Sequence, residues 1–132
     1  MKVYIAGPMA TMPNMNFPTF GKVANHLRDG GHAVANPADF PDTGPMSRAD
    51  YMKRDLPVLL TMDAIVMLPG WADAKGACIE LATAIAAGLK VYEWRNGINR
   101  AYPMPIGPKE SLAALYGYRL HLMDLHAEAV PL

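Results

Sequence analysis

Short apolar runs alternate along this chain with longer segments in which apolar side chains recur every three or four residues. A short run bounded by glycine or proline is typical of a buried strand, and the longer repeat is typical of an amphipathic helix. The pattern therefore predicts strands and helices in alternation. The predicted strands are residues 2–6, 32–35, 64–68 and 90–94, and the predicted helices are residues 17–29, 47–62 and 76–87.

The boundaries of the predicted helices carry residues that suit helix ends. Asn16 precedes the first helix as an N-cap, and Pro18 falls in its first turn. Ser47 and Asp50 have the spacing of a capping box, with aspartate in place of the usual glutamate. Pro57 lies inside the second helix, where its missing N–H predicts a kink. These signals support the division into elements.

Residues 95–132 have a less regular pattern. Asn96 and Gly97 form a turn signal, and residues 102–108, which include three prolines, are predicted to be irregular. A final helix is predicted over residues 109–126, where apolar side chains recur with roughly helical spacing. The regular alternation of strands and helices therefore extends from residue 2 to residue 94.

Alternating strands and helices predict an α/β domain that occupies residues 1–132 and has helices on both faces of a mostly parallel sheet. Four or five strands suit a flavodoxin-like or Rossmann-like three-layer sandwich with strand order 2-1-3-4(-5). The first strand ends at Gly7 and the third ends before Gly70. Because ligands bind where the strand order reverses, these two loops should share one cleft.

Composition narrows the class of partner. Hydrophobic residues make up 52% of the 132 residues and charged residues 18%, which is typical of a globular domain with a core. Twelve basic and twelve acidic residues give a net charge of zero, so a nucleic-acid polymer is not an expected partner. A neutral, apolar chain also predicts that some surface is covered by other subunits.

Cysteine, histidine and apolar patterning bear on compartment and cofactors. The single cysteine excludes an internal disulfide framework, and the scattered histidines predict no metal site. No apolar run approaches the roughly 20 residues of a membrane span, and the chain opens on a strand rather than a signal peptide. A cytoplasmic location is therefore expected.

The segment from residue 69 to residue 80 carries the strongest candidate chemistry. It places Glu80 in the predicted first turn of the third helix, at the carboxyl end of the sheet. The positive end of the helix dipole predicts an ionised carboxylate there, and such a carboxylate can attack an electrophilic carbon. Cys78 lies in the same turn, but the sequence places no histidine beside it, so a catalytic cysteine is not expected.

Four short pieces of sequence form a recognisable set. They are VYIAGPM at residues 3–9, NP at residues 36–37, RDL at 54–56 followed by MDA at 62–64, and GACIEL at residues 76–81. In this order and spacing they resemble the nucleoside 2-deoxyribosyltransferase-like superfamily, and especially its small bacterial and phage members, over residues 2–94. The resemblance implies cleavage of the N-glycosidic bond of a (deoxy)nucleoside or nucleoside 5′-monophosphate, by hydrolysis or by transfer to another base.

The resemblance also implies catalytic roles and no cofactor. Glu80 matches the nucleophile, Asp55 matches an acidic residue that assists the leaving base, and Tyr4 matches a tyrosine that orients the nucleophile. Chemistry agrees with these roles, because breaking an N-glycosidic bond builds positive charge on the sugar that a carboxylate stabilises or traps. A second acid beside the leaving base is useful because the base needs a proton or strong hydrogen bonds.

The loops at the sheet edge supply the predicted substrate-binding residues. Trp71 stacks on the base, anchors its loop or lies in a subunit contact, and Asn36 either bonds the base or closes a turn. The resemblance implies that Gly7 lets the ligand approach the first loop. Lys75 and the backbone of residues 70–76 could hold a phosphate. The predicted set is Gly7, Pro8, Met9, Asn36, Gly70, Trp71, Asp73, Lys75 and Gly76.

The chain also departs from the resembled family. Members that hydrolyse nucleoside monophosphates carry serine and arginine phosphate ligands in the first loop, where this chain has Met9, Ala10 and Thr11, and a serine where it has Ala74. This difference leaves a second hypothesis open, a non-catalytic nucleotide-binding module that acts as a sensor or decoy. In either case the resemblance implies a homo-oligomer, with residues 95–132 as the expected subunit contact.

Overall fold

The computed structural model describes residues 1–41, 44–97 and 100–105, with side chains over residues 1–41 and 44–95. Five strands and three α-helices lie within these ranges. They are β1 (Lys2–Ala6), α1 (Phe17–Asp29), β2 (Ala33–Ala35), α2 (Arg48–Leu59), β3 (Ala64–Met67), α3 (Lys75–Ala86), β4 (Lys90–Gly97) and β5 (Arg100–Pro105). Short 3-10 turns occupy Pro13–Asn16, Pro37–Asp39 and Trp71–Asp73.

The strands form one sheet in the order β2-β1-β3-β4-β5. The first four strands are parallel, and β5 pairs antiparallel with β4. Tyr4 on β1 lies opposite Ala35 on β2 and Ile65 on β3. The predicted fold class and strand order are therefore confirmed, with the switch point beside β1 and β3.

The fifth strand corrects one prediction. Residues 102–105 were expected to be irregular, but they belong to β5, where Pro103 lies opposite Trp94 and Pro105 opposite Tyr92. An edge strand accepts proline where the missing N–H would face away from the neighbouring strand. Pro103 and Pro105 are two residues apart, so both lack the N–H donor on the same side of β5. β4 also extends to Gly97, so the predicted turn signal belongs to a strand. The predicted helix over residues 109–126 lies outside the described residues.

Two core clusters cover the two faces of the sheet. Alternate residues of a strand point to opposite faces, so β1 sends Val3 and Ile5 to one side and Tyr4 and Ala6 to the other. The first cluster packs β1 and β3 against α1, through Phe20, Val23, Ala24 and Leu27. The second packs the opposite face against α2 and α3, through Leu59, Ala77, Leu81 and Ala84. Tyr4 therefore faces the helix that carries Glu80.

The helix starts follow local sequence signals in most respects. Ser47 accepts a hydrogen bond from the Asp50 N–H, and Asp50 accepts one from the Ser47 N–H, so the capping box is confirmed. Asn16 does precede α1, but its side chain makes no capping bond. Within the described part of the chain, no helix has the length and apolar character needed to cross a bilayer.

Candidate active site

The loops that follow β1 and β3 lie against each other at the carboxyl edge of the sheet. A Cβ added at Gly7 would come within 2.6 Å of the Leu68 Cβ, so only glycine permits this approach. Gly70 has φ +84°, and a Cβ there would lie 3.4 Å from Pro8 Cγ. The two loops therefore pack directly against each other at the edge of the sheet where the strand order predicts the ligand cleft. The packing of the two loops by itself accounts for glycine at position 7.

A left-handed turn shapes the first loop. Asn14, Met15 and Asn16 have φ values of 53°, 55° and 60°, a conformation that asparagine tolerates and methionine disfavours. The buried Asn16 Nδ2 donates to the Pro8 carbonyl over 2.9 Å, which ties the two ends of the loop together. Asn16 therefore acts on the loop through its side chain instead of capping α1. Met9 is half-buried against the first core cluster.

Tyr4 and Glu80 meet in the interior between β1 and α3. The Tyr4 hydroxyl donates a hydrogen bond to Glu80 Oε2, and the two residues are 0% and 6% exposed. Burial first, and then the neighbouring Glu80 carboxyl, raise the pKa of the Tyr4 hydroxyl well above its usual range. Tyr4 therefore remains a hydrogen-bond donor that fixes the orientation of the Glu80 carboxyl.

The protonation of Glu80 differs from the sequence prediction. α3 begins at Lys75, so Glu80 is in the second turn, beyond the strongest influence of the helix dipole. Burial raises the pKa of Glu80 to about 8; Asp55 acts in the same direction, while the Tyr4 hydrogen bond and Arg54 oppose it. The prediction of an ionised carboxylate is therefore wrong for the ligand-free protein at neutral pH, where the carboxylic acid predominates.

Asp55 reaches the same interior from α2. It is 5% exposed, and its Oδ1 lies 2.6 Å from Arg54 Nε. Asp55 acts electrostatically on both Glu80 and Tyr4. The structure therefore brings the three predicted catalytic residues together, and Asp55 is not the solvated helix residue that its neighbouring basic residues would suggest.

Arg54 also belongs to this constellation, although it is not among the site residues predicted from the sequence. Its guanidinium carbon lies 5.2 Å from the ring centroid of Phe40 and 5.1 Å from that of Tyr51. Tyr51 precedes Arg54 by three residues on one helix, a spacing that puts side chains side by side. That spacing was the signal in the sequence that could have identified the stacked arginine.

Trp71 and Asn36, which were predicted to contact the base, both have structural roles. Trp71 is 6% exposed and belongs to the second core cluster, so it anchors its loop. Asn36 is 3% exposed, and its Oδ1 accepts a hydrogen bond from the Ala38 N–H over 3.0 Å, which closes the turn after β2. The Asn36 Nδ2 amide has no protein partner among the described residues, so it can donate to a ligand.

The remaining predicted contacts lie around the start of α3. Asp73 and Lys75 are exposed, and Gly76 lies against Met52, whose Cε is 3.6 Å from an added Cβ. Ala74 precedes the helix without a side-chain cap, so backbone N–H groups of the first turn remain available near the cleft. This end of α3 can therefore interact with an anionic group, with Lys75 as its nearest cation in sequence.

The thiol of Cys78 is a poor nucleophile in this setting. Burial first, and then Asp73, raise the pKa of Cys78 to about 12, and the thiol donates to the Trp71 carbonyl over 3.5 Å. A position near the start of a helix lowers the pKa of a thiol, but burial outweighs that effect here. In the ranges described, no three histidine, cysteine, aspartate or glutamate side chains come close enough to hold a metal ion.

Comparison with known proteins gives a family and a fold. A family described as a domain of unknown function, DUF4406, matches residues 1–93. No curated protein matches the chain. A solved structure of a 2-deoxyribosyltransferase from the psychrotolerant bacterium Bacillus psychrosaccharolyticus superposes with TM-score 0.56 and 23% identity, over 76% of this chain and 77% of that one.

A second solved structure gives the same result. The CMP N-glycosidase BcmB of Clostridium botulinum superposes with TM-score 0.53 and 21% identity, over 89% of this chain and 82% of that one. The chain therefore shares the fold of these two enzymes, as the sequence resemblance implied.

Proposed function

The chain belongs to the DUF4406 family, and we propose that it is an enzyme that cleaves the N-glycosidic bond of a (deoxy)nucleoside or its 5′-monophosphate. One observation carries the proposal: Tyr4, Glu80 and Asp55 converge, buried, at the switch point of the sheet. The two enzymes that share the fold are named for a deoxyribosyl transfer and for an N-glycosidase activity, which supports the same bond class.

Glu80 is the proposed nucleophile. In its carboxylate form, one oxygen attacks the anomeric carbon of the sugar, and the bond from that carbon to the base nitrogen breaks with its electron pair leaving on the base. Tyr4 holds the other oxygen, because its hydroxyl donates to Glu80 Oε2. The result is a sugar ester of Glu80, and attack by water or by a second base then regenerates the carboxylate with retention at the anomeric carbon.

Proton balance assigns a role to Asp55. The resting site holds a proton on Glu80, because burial raises the pKa of that carboxyl to about 8. Glu80 must lose this proton before it attacks, and the departing base must gain one. Asp55 interacts electrostatically with Glu80 from α2, and it serves as the acid–base group that passes a proton towards the base. The carboxylate form of Glu80 is therefore the one that reacts, and the proton for the base comes from solvent through Asp55.

Substrate recognition is assigned to the loops around this constellation. The Asn36 Nδ2 amide donates to an acceptor atom of the base, because its Oδ1 is occupied by Ala38. The exposed Lys75 and the N–H groups at the start of α3 receive a 5′-phosphate where the substrate has one. The remaining contacts from the two loops are Gly7, Pro8, Met9, Gly70, Asp73 and Gly76.

Base release measured by liquid chromatography tests this function. The panel contains nucleosides and nucleoside 5′-monophosphates, with and without a free acceptor base, and includes Glu80→Gln and the control Glu93→Gln on β4. We expect turnover by the wild type and the control, and its loss in Glu80→Gln. Free base without an acceptor identifies a hydrolase, and exchange that requires an acceptor identifies a transferase.

The same panel contains the outcome that overturns the proposal. If no substrate releases its base, while calorimetry detects binding of a nucleotide, the chain is the non-catalytic nucleotide-binding module of the second hypothesis. Base release by Glu80→Gln at the wild-type rate would instead remove Glu80 from the mechanism.

A further inference from the structure

The guanidinium of Arg54 is held on several sides. Its Nε lies 2.6 Å from Asp55 Oδ1, and its Nη1 donates to the Pro41 carbonyl over 3.3 Å. The rings of Phe40 and Tyr51 lie 5.2 Å and 5.1 Å from its central carbon. A planar guanidinium with in-plane acceptors and aromatic neighbours has little freedom to reorient. Arg54 is therefore fixed before any ligand arrives.

The positive charge of Arg54 acts electrostatically on Glu80. The groups that act on Glu80 are Tyr4 from β1 and the neighbours Arg54 and Asp55 from α2. Burial and the negative charge of Asp55 both favour the protonated form of Glu80, whereas Arg54 favours the carboxylate. Among the described residues that act on Glu80, Arg54 is the one that carries a positive charge.

We propose that Arg54 is a positioning residue of this site: it holds Asp55 in place for the departing base and supplies the positive charge that lets Glu80 become a carboxylate. The inference rests on the proposed function and deepens it. Arg54 does not touch the reacting atoms, so both of its effects pass through the two carboxyl groups. The ion pair fixes one oxygen of Asp55, which leaves the other oxygen for the reaction.

Two substitutions separate the charge of Arg54 from its shape. Arg54→Gln removes the charge and keeps a planar donor, whereas Arg54→Lys keeps the charge but loses the fork that binds Asp55 and Pro41 together. Arg28→Met is the matched control, because Arg28 also pairs with an aspartate, Asp39 at 3.4 Å, but at the surface and away from Glu80. Thermal melting of each variant shows that it is folded before it is used.

The pH dependence of kcat/KM is the first measurement. We expect Arg54→Gln to move the acidic limb to higher pH by about one unit, because the carboxylate loses a neighbouring positive charge. We expect kcat to fall about 10- to 100-fold, which is at or below the lower end of what a positioned acid–base group contributes, because Asp55 itself is retained. Arg54→Lys should keep the acidic limb of kcat/KM near its wild-type position, but its kcat should still fall about 10-fold. Arg28→Met should match the wild type in both the acidic limb and kcat.

A titration of the ligand-free protein keeps this inference separate from the proposed function. The chain has four glutamates, so ¹³C labelling of glutamate side chains with Glu80→Gln as the assignment control isolates the Glu80 signal. We expect Glu80 to titrate at higher pH in Arg54→Gln than in wild type, even if no substrate is turned over. An unchanged Glu80 titration in a folded Arg54→Gln protein, or unchanged kcat in both Arg54 variants of an active enzyme, would overturn the inference.

Discussion

At the scale of single residues, Glu80 has opposite requirements in the resting protein and in the proposed reaction. Burial raises its pKa to about 8, whereas attack on the sugar requires the carboxylate. We therefore predict that log kcat/KM rises with pH and levels off above about pH 8, because kcat/KM reports groups of the free enzyme. Initial rates between pH 5 and 9.5 measure this limb, and a pH-independent rate across that range would contradict it.

The same burial predicts a conflict between stability and activity at Glu80. An ordinary glutamate has a pKa of 4.5, so between that value and about 8 the folded chain binds more protons than the unfolded chain. Stability then falls as pH rises through this interval. Glu80→Gln cannot ionise, so it should be more stable than wild type at pH 7 by on the order of 3 kcal/mol, with little difference at pH 4.5.

Chemical denaturation at the two pH values measures that prediction. Glu93→Gln is the matched control, because the Glu93 side chain on β4 is 29% exposed and pairs with Arg95. It should show no comparable gain at pH 7. A Glu80→Gln protein that is less stable than wild type at pH 7 would show that the carboxylate is better accommodated in the folded state than its burial indicates.

The sequence predicted which side chains come together but not their ionisation. The alternation along β1 and the helical position of Glu80 place the side chains of Tyr4 and Glu80 at one edge of the sheet. The family resemblance added Asp55 to them. The protonated state of Glu80 depends on desolvation in the packed interior, which no local spacing records. Trp71 had two such interpretations in sequence, and only the packed structure distinguishes an anchor from a ligand contact.

At the scale of elements, local signals predicted the starts of the three helices to within one residue, but α2 ends at Leu59 instead of residue 62, and β5 was not predicted. α1 has the predicted bounds, and the Ser47 and Asp50 box starts α2 as expected. β5 was missed because proline is usually a strand breaker, whereas an edge strand needs donors on one side only. Asn16 has the residue type of an N-cap, but its side chain satisfies the Pro8 carbonyl instead. Competition between local and distant partners explains this difference.

A pair of glycine substitutions tests the contact between the two cleft loops. Gly7→Ala should destabilise the fold by about 1–3 kcal/mol, because its Cβ would lie 2.6 Å from the Leu68 Cβ. Gly21→Ala is the control inside α1, where an added Cβ meets nothing within 4 Å, and it should stabilise by about 0.5–1 kcal/mol. Urea unfolding of both variants gives the comparison, and equal effects of the same sign would contradict the close approach of the loops.

At the scale of the whole molecule, the site is assembled from both sides of β1. The first loop packs on the α1 side through Met9, whereas Tyr4, Asp55 and Glu80 belong to the α2 and α3 side. Strand order is what brings these segments to one edge, so the position of the cleft could be predicted from the sequence. The outer boundary of the cleft could not be predicted, because the sequence pattern beyond residue 94 is irregular.

The surface composition gives a prediction at this scale. The net charge is zero, and Met12, Met15 and Phe17, within six residues of one another, are 39%, 39% and 47% exposed. We predict a homo-oligomer in which a second copy covers apolar surface of this kind. Sedimentation velocity at micromolar concentration should give the mass of a dimer or a larger assembly. A monomeric mass of 14.3 kDa across a tenfold concentration range would contradict it.

The central claim is that Glu80 bonds to the sugar, and a trapped intermediate tests it most directly. A nucleoside with fluorine at the sugar 2-position slows hydrolysis of the glycosyl ester more than its formation when the base leaves readily. Peptide mass spectrometry of the reacted protein should show one fluorosugar on the peptide that contains Glu80, with one equivalent of base released and no adduct in Glu80→Gln. Release of base with no adduct, or an adduct on another residue, would contradict the account.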